Sequence, residues 1–351
     1  MSKKPQSPAD VLADACEGCI DNELKAQRYK DKNLALNSVN RTLKRRLSKV
    51  EADMEIISSL PPHTPRKYPK AIKTSKTGEG NAAGVLMLND WHCANQYPLE
   101  AVEGVGFQNL EEINRKASIL GPNTVKIWNF ASRLSTLDEL DIVLLGDFLH
   151  GAIHPEYAWS NSLGPTEEVL FAQDHLVSLI RYLKKTIKPK KMRIIGTRGG
   201  NHGRTTKKMH TEGAHNHNLE WLMYGEIARI IDDPSIEWRL GKHLTNPTEI
   251  KGHIIRPTHG DTIRFMGGTG GVSVPLNRKV QRWNEIKSAS LTLLGHFHTL
   301  IVLTDAIVGP ALTGYDPFAF EIGAKPYPPG QMFLVMDKTK KASVLQTVVY
   351  V

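Results

Sequence analysis

Cysteine and long apolar runs are both scarce in this chain of 351 residues. Three cysteines cannot form a disulfide framework, so the sequence predicts a protein of a reducing compartment, the cytoplasm. No stretch approaches the ~18 consecutive apolar residues of a membrane span. The first residues, Met1 to Pro5, lack the apolar core of a signal peptide. We therefore expect a protein with no membrane partner.

Negative charge is also in short supply, because 45 Lys and Arg face 36 Asp and Glu and leave a formal net charge of +9. The excess is concentrated near the start. Residues 1–81 hold 16 Lys and Arg against 10 Asp and Glu, which is +6 of the total. A basic protein favours an anionic partner, and nucleic acid is the commonest one. DNA is the partner that we expect.

The N-terminal part has few helix breakers and is rich in Lys, Glu, Leu and Ala, which predicts a helical extension over residues 1–60. An apolar stripe with heptad-like spacing runs from Leu36 to Ile57. The stripe can pair with a second copy in a homodimer or lie on the rest of the chain. Basic residues on the same helix, Arg45 and Arg46 among them, are either a solvated face or contacts to a phosphate backbone.

A segment rich in proline and lysine, residues 61–82, follows this extension and reads as a linker. Residues 83–351 then form one catalytic domain. Within it, five short polar stretches each follow an apolar run that reads as a strand, and these runs are 83–88, 140–145, 192–195, 253–257 and 290–294. The stretches are Asp90-Trp91-His92, Gly146-Asp147-Phe148-Leu149-His150, Gly200-Asn201-His202, His259-Gly260-Asp261 and Gly295-His296-Phe297-His298. Residues at strand ends can converge on one edge of a sheet. Helices are predicted over 122–135, 165–187 and 219–231, and the later runs 300–303, 331–336 and 342–351 are expected in a second sheet.

Together the five stretches supply three carboxylates, an amide oxygen and several imidazoles. Such a mixture of oxygen and nitrogen ligands suits manganese, iron, cobalt or zinc better than calcium or magnesium alone. An aspartate with ligands on both sides of it describes a site for two metal ions, ~3.5–4 Å apart. The residues thus predict two divalent cations as cofactors, manganese first, with iron, cobalt, zinc or magnesium as alternatives.

The order D-x-H, G-D-x-x-H, G-N-H, H, G-H-x-H resembles the calcineurin-like metallophosphoesterase family over residues 83–351. The G-D-x-x-H form is most similar to the branch of DNA double-strand-break repair nucleases. The resemblance implies an α/β fold, a two-sheet sandwich with α/β/β/α layers, carrying the N-terminal helical extension. It also implies metal-assisted hydrolysis of a phosphoester.

Carried over position by position, the resemblance implies two metal sites that share Asp147. One set is Asp90, His92, Asp147 and His298, and the other is Asp147, Asn201, His259 and His296. His202 is implied to be catalytic, because it faces the scissile phosphate and stabilises its charge. His150 is implied to contact substrate near the metals, although a structural histidine is an equal alternative from the sequence.

One departure from the family pattern occurs after His202, where Gly203 replaces the acidic residue that many members have. Either another acid orients His202, or this histidine is less basic than in relatives. Arg204, Arg264 and Arg278 are candidate substrate-binding residues, and Asp261 is a candidate partner for His259. The aromatic segment 315–320 either stacks on bases or plugs the sheet edge.

The leading interpretation of these features is a DNA nuclease or phosphodiesterase. A small-substrate phosphatase and a cyclic-nucleotide phosphodiesterase are alternative enzymes. A non-catalytic nucleic-acid-binding adaptor is the alternative outside enzymes, and the complete ligand set argues against it.

Overall fold

The structure is a computed structural model, and it describes residues 25–48, 51, 81–151, 153, 160–208, 210, 212–264, 271–339 and 343–351. The chain divides into two units, residues 1–72 and 73–351. Most of the predicted linker and both ends of the predicted N-terminal helix lie outside the described residues. None of the described helices is long and apolar enough to cross a membrane.

In the first unit, residues 25–48 form one helix, α1, and every described residue of it is exposed. Its apolar stripe is represented by Leu36, Val39, Leu43 and Leu47, each with between 54 and 58% of its surface exposed. The helix carries eight Lys and Arg and one Asp, so that its surface is strongly basic.

The second unit is built on a six-stranded sheet with the order β11-β10-β1-β2-β3-β4. Its strands are β1 (Ala82–Asn89), β2 (Leu137–Gly146), β3 (Lys191–Gly196), β4 (Ile236–Leu240), β10 (Gly330–Asp337) and β11 (Ser343–Tyr350). The strands β1 to β4 run parallel, and β10 pairs antiparallel with β1. The long apolar runs of β1 and β2 follow from burial of this sheet on both faces.

A second sheet has five strands in the order β5-β6-β7-β9-β8. They are β5 (Thr248–Ile250), β6 (His253–Pro257), β7 (Leu291–Leu294), β8 (Ile301–Val302) and β9 (Ala306–Val308). Alternate residues of β1, such as Val85 and Met87, pack against Ile255 and Leu293 between the two sheets. Their neighbours Leu86 and Leu88 face the opposite way, as the two-residue period of a strand requires.

Helices cover both outer faces. They are α2 (Leu110–Ala131), α3 (Pro165–Ile187), α4 (Leu219–Ile231), α5 (Ser273–Ile286) and α6 (Pro317–Glu321). Leu120, Ile180 and Ile227 of α2, α3 and α4 pack on the six-stranded sheet. Leu276 and Val280 of α5 pack on the outer face of the second sheet. These layers are α/β/β/α, which confirms the predicted two-sheet sandwich.

Two local predictions were wrong. The C-terminal runs that became β10 and β11 were expected in the second sheet, but they extend the first one, because β10 pairs with β1 through six residues. A helix was expected to begin at Pro122 and run to Ser135. Instead α2 begins twelve residues earlier, where the Asn109 side chain accepts a hydrogen bond from the Glu112 amide at 2.8 Å, and Pro122 lies inside the helix.

Candidate metal centre

The five polar stretches meet at one edge of the sandwich. Strands β1, β2 and β3 are parallel, as are β6 and β7, and each is followed at its carboxyl end by one of the stretches. Ligand sites in open α/β sheets lie at this edge. Side chains from all five stretches line one cleft of about 350 Å³ or lie in direct contact with residues that line it.

The first group of donors is Asp90, His92 and His298, whose ligand atoms lie within 4.8 Å of one another. The Nε2 atoms of His92 and His298 are 3.0 Å apart. The Asp90 carboxylate accepts the backbone amide of His296 at 2.8 Å, so that the β1 loop is joined to the β7 loop. All three donors of the group are buried.

The second group is Asp147, His259 and His296, again with ligand atoms within 4.8 Å. His259 Nε2 lies 2.9 Å from Asp147 Oδ2 and 3.0 Å from Asn201 Oδ1. The structure therefore brings together the seven positions that the sequence proposed as ligands. Asp147 contributes to the second group and lies close to His202 as well, with 4.0 Å between Asp147 Oδ2 and His202 Nε2.

The hydrogen bonds of these groups fit a bound cation. His259 Nδ1 is 3.0 Å from the Leu145 carbonyl, which only accepts, so Nδ1 carries the proton. In the neutral ring, Nε2 then carries a lone pair, and this lone pair faces the oxygens of Asp147 and Asn201. Three acceptors at contact distance repel one another unless a proton or a cation lies among them. Divalent metals take this combination of imidazole and oxygen ligands.

Backbone geometry singles out the same positions. Nine non-glycine residues of the described chain have a positive φ, and five of them are proposed ligands: Asp90, His92, Asp147, His296 and His298. Each such residue costs about 1–3 kcal/mol and persists only where its surroundings fix it. Clustering of this strain at one edge of the sheet is an independent sign of a functional centre.

Two buried glutamates that the sequence reading missed fix the loops. Glu220 of α4 accepts the backbone amides of Asp147, Leu149 and Gly200, at 3.0, 3.0 and 2.6 Å. Glu168 of α3 accepts the amides of Ala94, His150 and Gly151, at 2.8, 2.6 and 3.0 Å. Each carboxylate thus joins two loops.

The loops after β2 and β3 approach so closely that a glycine is required between them. A Cβ atom on Gly200 would lie 2.0 Å from Asp147 Oδ1. Any other residue at position 200 would displace the carboxylate that the second donor group depends on.

His298 is oriented by Asp316, the third residue that sequence reasoning missed. His298 Nδ1 lies 2.9 Å from Asp316 Oδ1, and the same oxygen accepts the Ala319 amide at the start of α6. An Asp-Pro pair is a helix-start signal, but nothing in its spacing from the five stretches connects it with a histidine. A carboxylate behind a metal-binding histidine fixes the ring and raises its basicity.

The departure at Gly203 has a structural explanation. His202 Nδ1 lies 2.7 Å from the His150 carbonyl, so a backbone oxygen orients this ring instead of an acid. A Cβ on Gly203 would meet Asn218 Oδ1 and Glu220 Cγ at 2.7 Å, so the space of a side chain at 203 is taken by α4. His150 itself lies in the cleft, with its Nδ1 3.2 Å from His92 Nδ1.

Electrostatics distinguish the histidines. Burial would lower the pKa of His259, but the adjacent Asp147 outweighs it and raises the pKa to about 10. Burial would likewise lower the pKa of His298, and Asp316 raises it to about 9. In His202 burial outweighs Asp147 and lowers the pKa. Of the two explanations for Gly203, a less basic His202 agrees with this direction.

The proposed substrate-binding arginines do not line the cleft. Arg204 donates to the carbonyls of Asn201 and Thr206, and it lines a smaller pocket beside the cleft. Arg264 and Arg278 are exposed and are not among the described lining residues. Asp261 pairs with Arg198 at 3.1 Å, and the partner of His259 is the Leu145 carbonyl instead.

Comparisons with known proteins add little at the level of sequence. No family model matches the chain, and no curated protein matches it. Among solved structures, Vps29 from Entamoeba histolytica is similar with 10% identity and a TM-score of 0.30, covering 76% of this chain and 98% of that one. A hypothetical protein, PH1004 from Pyrococcus horikoshii OT3, has 11% identity and a TM-score of 0.35, covering 77% and 88%. At these scores neither similarity bears on function, which rests on the geometry of the site.

Proposed function

We propose that this chain is a dinuclear-metal-dependent phosphoester hydrolase of the calcineurin-like class. The observation that carries the proposal is the meeting of two donor groups at one cleft. Two imidazole nitrogens lie 3.0 Å apart in one group, and an imidazole nitrogen faces two oxygens in the other. Asp90, His92 and His298 would hold one ion, His259, His296 and Asn201 the other, and Asp147 would serve both. Ions bound there supply Lewis acidity at phosphorus and lower the pKa of water.

His202 is the residue that would move a proton in this reaction. Because its Nδ1 is tied to the His150 carbonyl, only Nε2 can face a substrate oxygen. The neutral ring then accepts at Nε2, and only the protonated ring can donate to a leaving oxygen. An anionic phosphate beside the ring favours the protonated form, so substrate binding would prepare His202 to stabilise charge on the leaving group.

A phosphodiester suits the cleft better than a phosphomonoester. Monoesters carry close to two negative charges at neutral pH, whereas a diester carries one. No Lys or Arg lines the cleft among the residues that the structure describes, and Glu321 does. Two metal ions and His202 would therefore be the main sources of positive charge, which matches a singly charged phosphate.

DNA is the diester that we propose as substrate. The support is the basic surface of α1, with eight Lys and Arg among its 24 residues, and the position of His150 in the cleft next to His92 and His202. A small cyclic or linear nucleotide diester is the second candidate, because a cleft of about 350 Å³ lies at the lower end of the ~300–1,000 Å³ range of small-molecule sites.

An assay with four substrates side by side tests both proposals. Single-stranded DNA, duplex DNA, bis-p-nitrophenyl phosphate and p-nitrophenyl phosphate are each incubated with the manganese-loaded protein. We expect hydrolysis of the diesters, with DNA preferred, and little hydrolysis of the monoester. Asp147→Ala is the negative control and should remove all activity. Hydrolysis of the monoester alone would contradict the diester proposal, and activity retained in Asp147→Ala would contradict the site.

A further inference from the structure

The cleft has a second set of lining residues beyond the donor groups. They are Asn95, Gln96, Tyr97, Ser160, Phe318 and Glu321. Two of them, Asn95 and Phe318, line the cleft and carry side-chain groups, an amide and an aromatic ring, that a ligand can contact.

Asn95 places a side-chain amide at the cleft. Only 5% of its surface is exposed, yet its side chain makes no hydrogen bond with any residue that the structure describes. Its backbone amide donates to the His92 carbonyl at 2.9 Å, which fixes it three residues beyond a proposed ligand. Because Asn95 lines the cleft, the donor and acceptor atoms of its amide are open to a ligand there.

Phe318 presents an aromatic ring to the same cleft. It lies in α6 with 38% of its surface exposed, and its ring centroid is 5.2 Å from that of His298 and 6.1 Å from that of His296. Its neighbours in the segment behave differently, because Tyr315 and Ala319 are buried against Tyr97 and Val102. The segment therefore packs against Tyr97 and Val102 with some of its residues and offers the cleft a ring with another.

The charge of the lining residues limits which ligands can bind beside Phe318. Among the described residues of the cleft, Glu321 adds a negative charge and no Lys or Arg adds a positive one. A second phosphate or a carboxylate is therefore disfavoured beside Phe318. A neutral, planar group with both donors and acceptors matches an aromatic face and an amide, and nucleobases have these properties.

We propose that Asn95 and Phe318 form a nucleobase subsite, in which the base next to the scissile phosphate stacks on Phe318 and hydrogen-bonds to Asn95. The proposal rests on the proposed phosphodiesterase function and narrows its substrates to nucleotide diesters. Recognition of a base by stacking tolerates different sequences, whereas the amide adds a preference among bases.

Two diesters with the same leaving group test the subsite: thymidine 5′-(p-nitrophenyl phosphate) and methyl p-nitrophenyl phosphate. The quantity measured is the ratio of their kcat/KM values. We expect the wild-type protein to prefer the thymidine ester and Phe318→Leu to lower the ratio about tenfold, the size of one base stack. Asn95→Ala should also lower this ratio.

Phe320→Leu is the matched control, because Phe320 lies in the same helix with 43% of its surface exposed and is not among the residues that line the cleft. Its ratio should equal that of the wild type. An unchanged ratio in both Phe318→Leu and Asn95→Ala would overturn the subsite, as would an equal loss in Phe320→Leu.

A binding measurement separates failure of the subsite from failure of the proposed function. Calorimetric titration with thymidine 5′-monophosphate and with deoxyribose 5-phosphate needs no turnover. The subsite predicts tighter binding of the nucleotide and loss of this difference in Phe318→Leu, even if neither diester is hydrolysed. Equal affinities for the two ligands in the wild-type protein would overturn it.

Discussion

At the scale of single residues, the atom bonded to Nδ1 determines what each histidine of the centre can do. The Leu145 carbonyl and the Asp316 carboxylate hold His259 and His298, so that both present Nε2 to the candidate cation site. A carboxylate stabilises the charged or metal-bound ring more than a carbonyl does. Asp316 should therefore contribute to metal affinity although it is not a ligand.

Asp316→Asn tests this contribution. Asparagine is an equally good first residue for α6, so the helix should remain while the negative charge behind His298 is lost. We expect metal affinity to fall about 10–100-fold, measured by metal content after dialysis against a chelator. Asp305→Asn, which changes an exposed acceptor of Gln281 instead, should leave metal affinity unchanged.

His202→Gln should separate catalysis from metal binding. His202 belongs to neither donor group that contains an aspartate, and its Nδ1 is tied to a carbonyl. We expect the rate of diester hydrolysis to fall by roughly 10²–10³, the cost of one transition-state donor, with both metals retained. Loss of one metal in this variant would make His202 a ligand.

Lys116 makes stability depend on pH in the alkaline range. Its ammonium donates to Gln108 Oε1 at 2.8 Å and to the Thr313 carbonyl at 2.9 Å, and burial lowers its pKa from 10.5 to about 8. Between these values the unfolded chain binds more protons than the folded one, so the free energy of unfolding should rise with pH by about 1 kcal/mol per unit. Denaturant titrations of the wild type and Lys116→Met at several pH values measure this slope in each protein. The two slopes should be equal if Lys116 stays charged when folded.

At the scale of elements, the local pattern identified the strands that precede the candidate ligands. The predicted runs 83–88, 140–145 and 192–195 lie within β1, β2 and β3, and helices α3 and α4 have the predicted bounds. Apolar runs followed by glycine and polar residues suffice for this, because strand ends are local features. Pairing of β10 with β1 depends on residues about 250 positions apart, and no local pattern encodes it.

The same limit explains which residues of the centre were missed. Glu168, Glu220 and Asp316 act through backbone amides or a histidine from other loops, and their sequence neighbourhoods look like ordinary helix starts. The five ligand stretches were recognisable because each carries its donors within a few residues. Residues that orient a candidate ligand come from distant parts of the chain, so only the folded structure shows them.

The apolar stripe of α1 is an element whose role a direct test can settle. Leu36 and Leu43 are seven residues apart and exposed, and we propose that they meet their copies in a homodimer. Leu36→Gln with Leu43→Gln should shift the protein from dimer to monomer in analytical ultracentrifugation. Asn37→Gln with Lys44→Gln changes the neighbouring face at the same spacing and should leave the dimer intact. A wild-type protein that is monomeric at high concentration would contradict the proposal.

At the scale of the whole molecule, most of the excess positive charge and all of the proposed ligands lie in different parts of the chain. Every proposed ligand lies beyond residue 81, whereas residues 1–81 carry +6 of the net charge of +9. Contacts between basic side chains and phosphates release counterions and make binding depend on salt. We therefore expect the N-terminal part to determine affinity for DNA and the sandwich to determine the rate of hydrolysis.

Deletion of residues 1–80 should separate these two properties. Hydrolysis of bis-p-nitrophenyl phosphate should stay close to that of the full chain, while affinity for DNA falls and its salt dependence becomes shallower. In the full chain, Arg45→Gln with Arg46→Gln should reproduce part of this loss. Arg229→Gln with Arg282→Gln is the matched control, because both arginines are exposed and paired with glutamates of their own helices. If the truncated protein binds DNA with the same affinity and salt slope, α1 serves assembly alone, and a small nucleotide diester becomes the better candidate substrate.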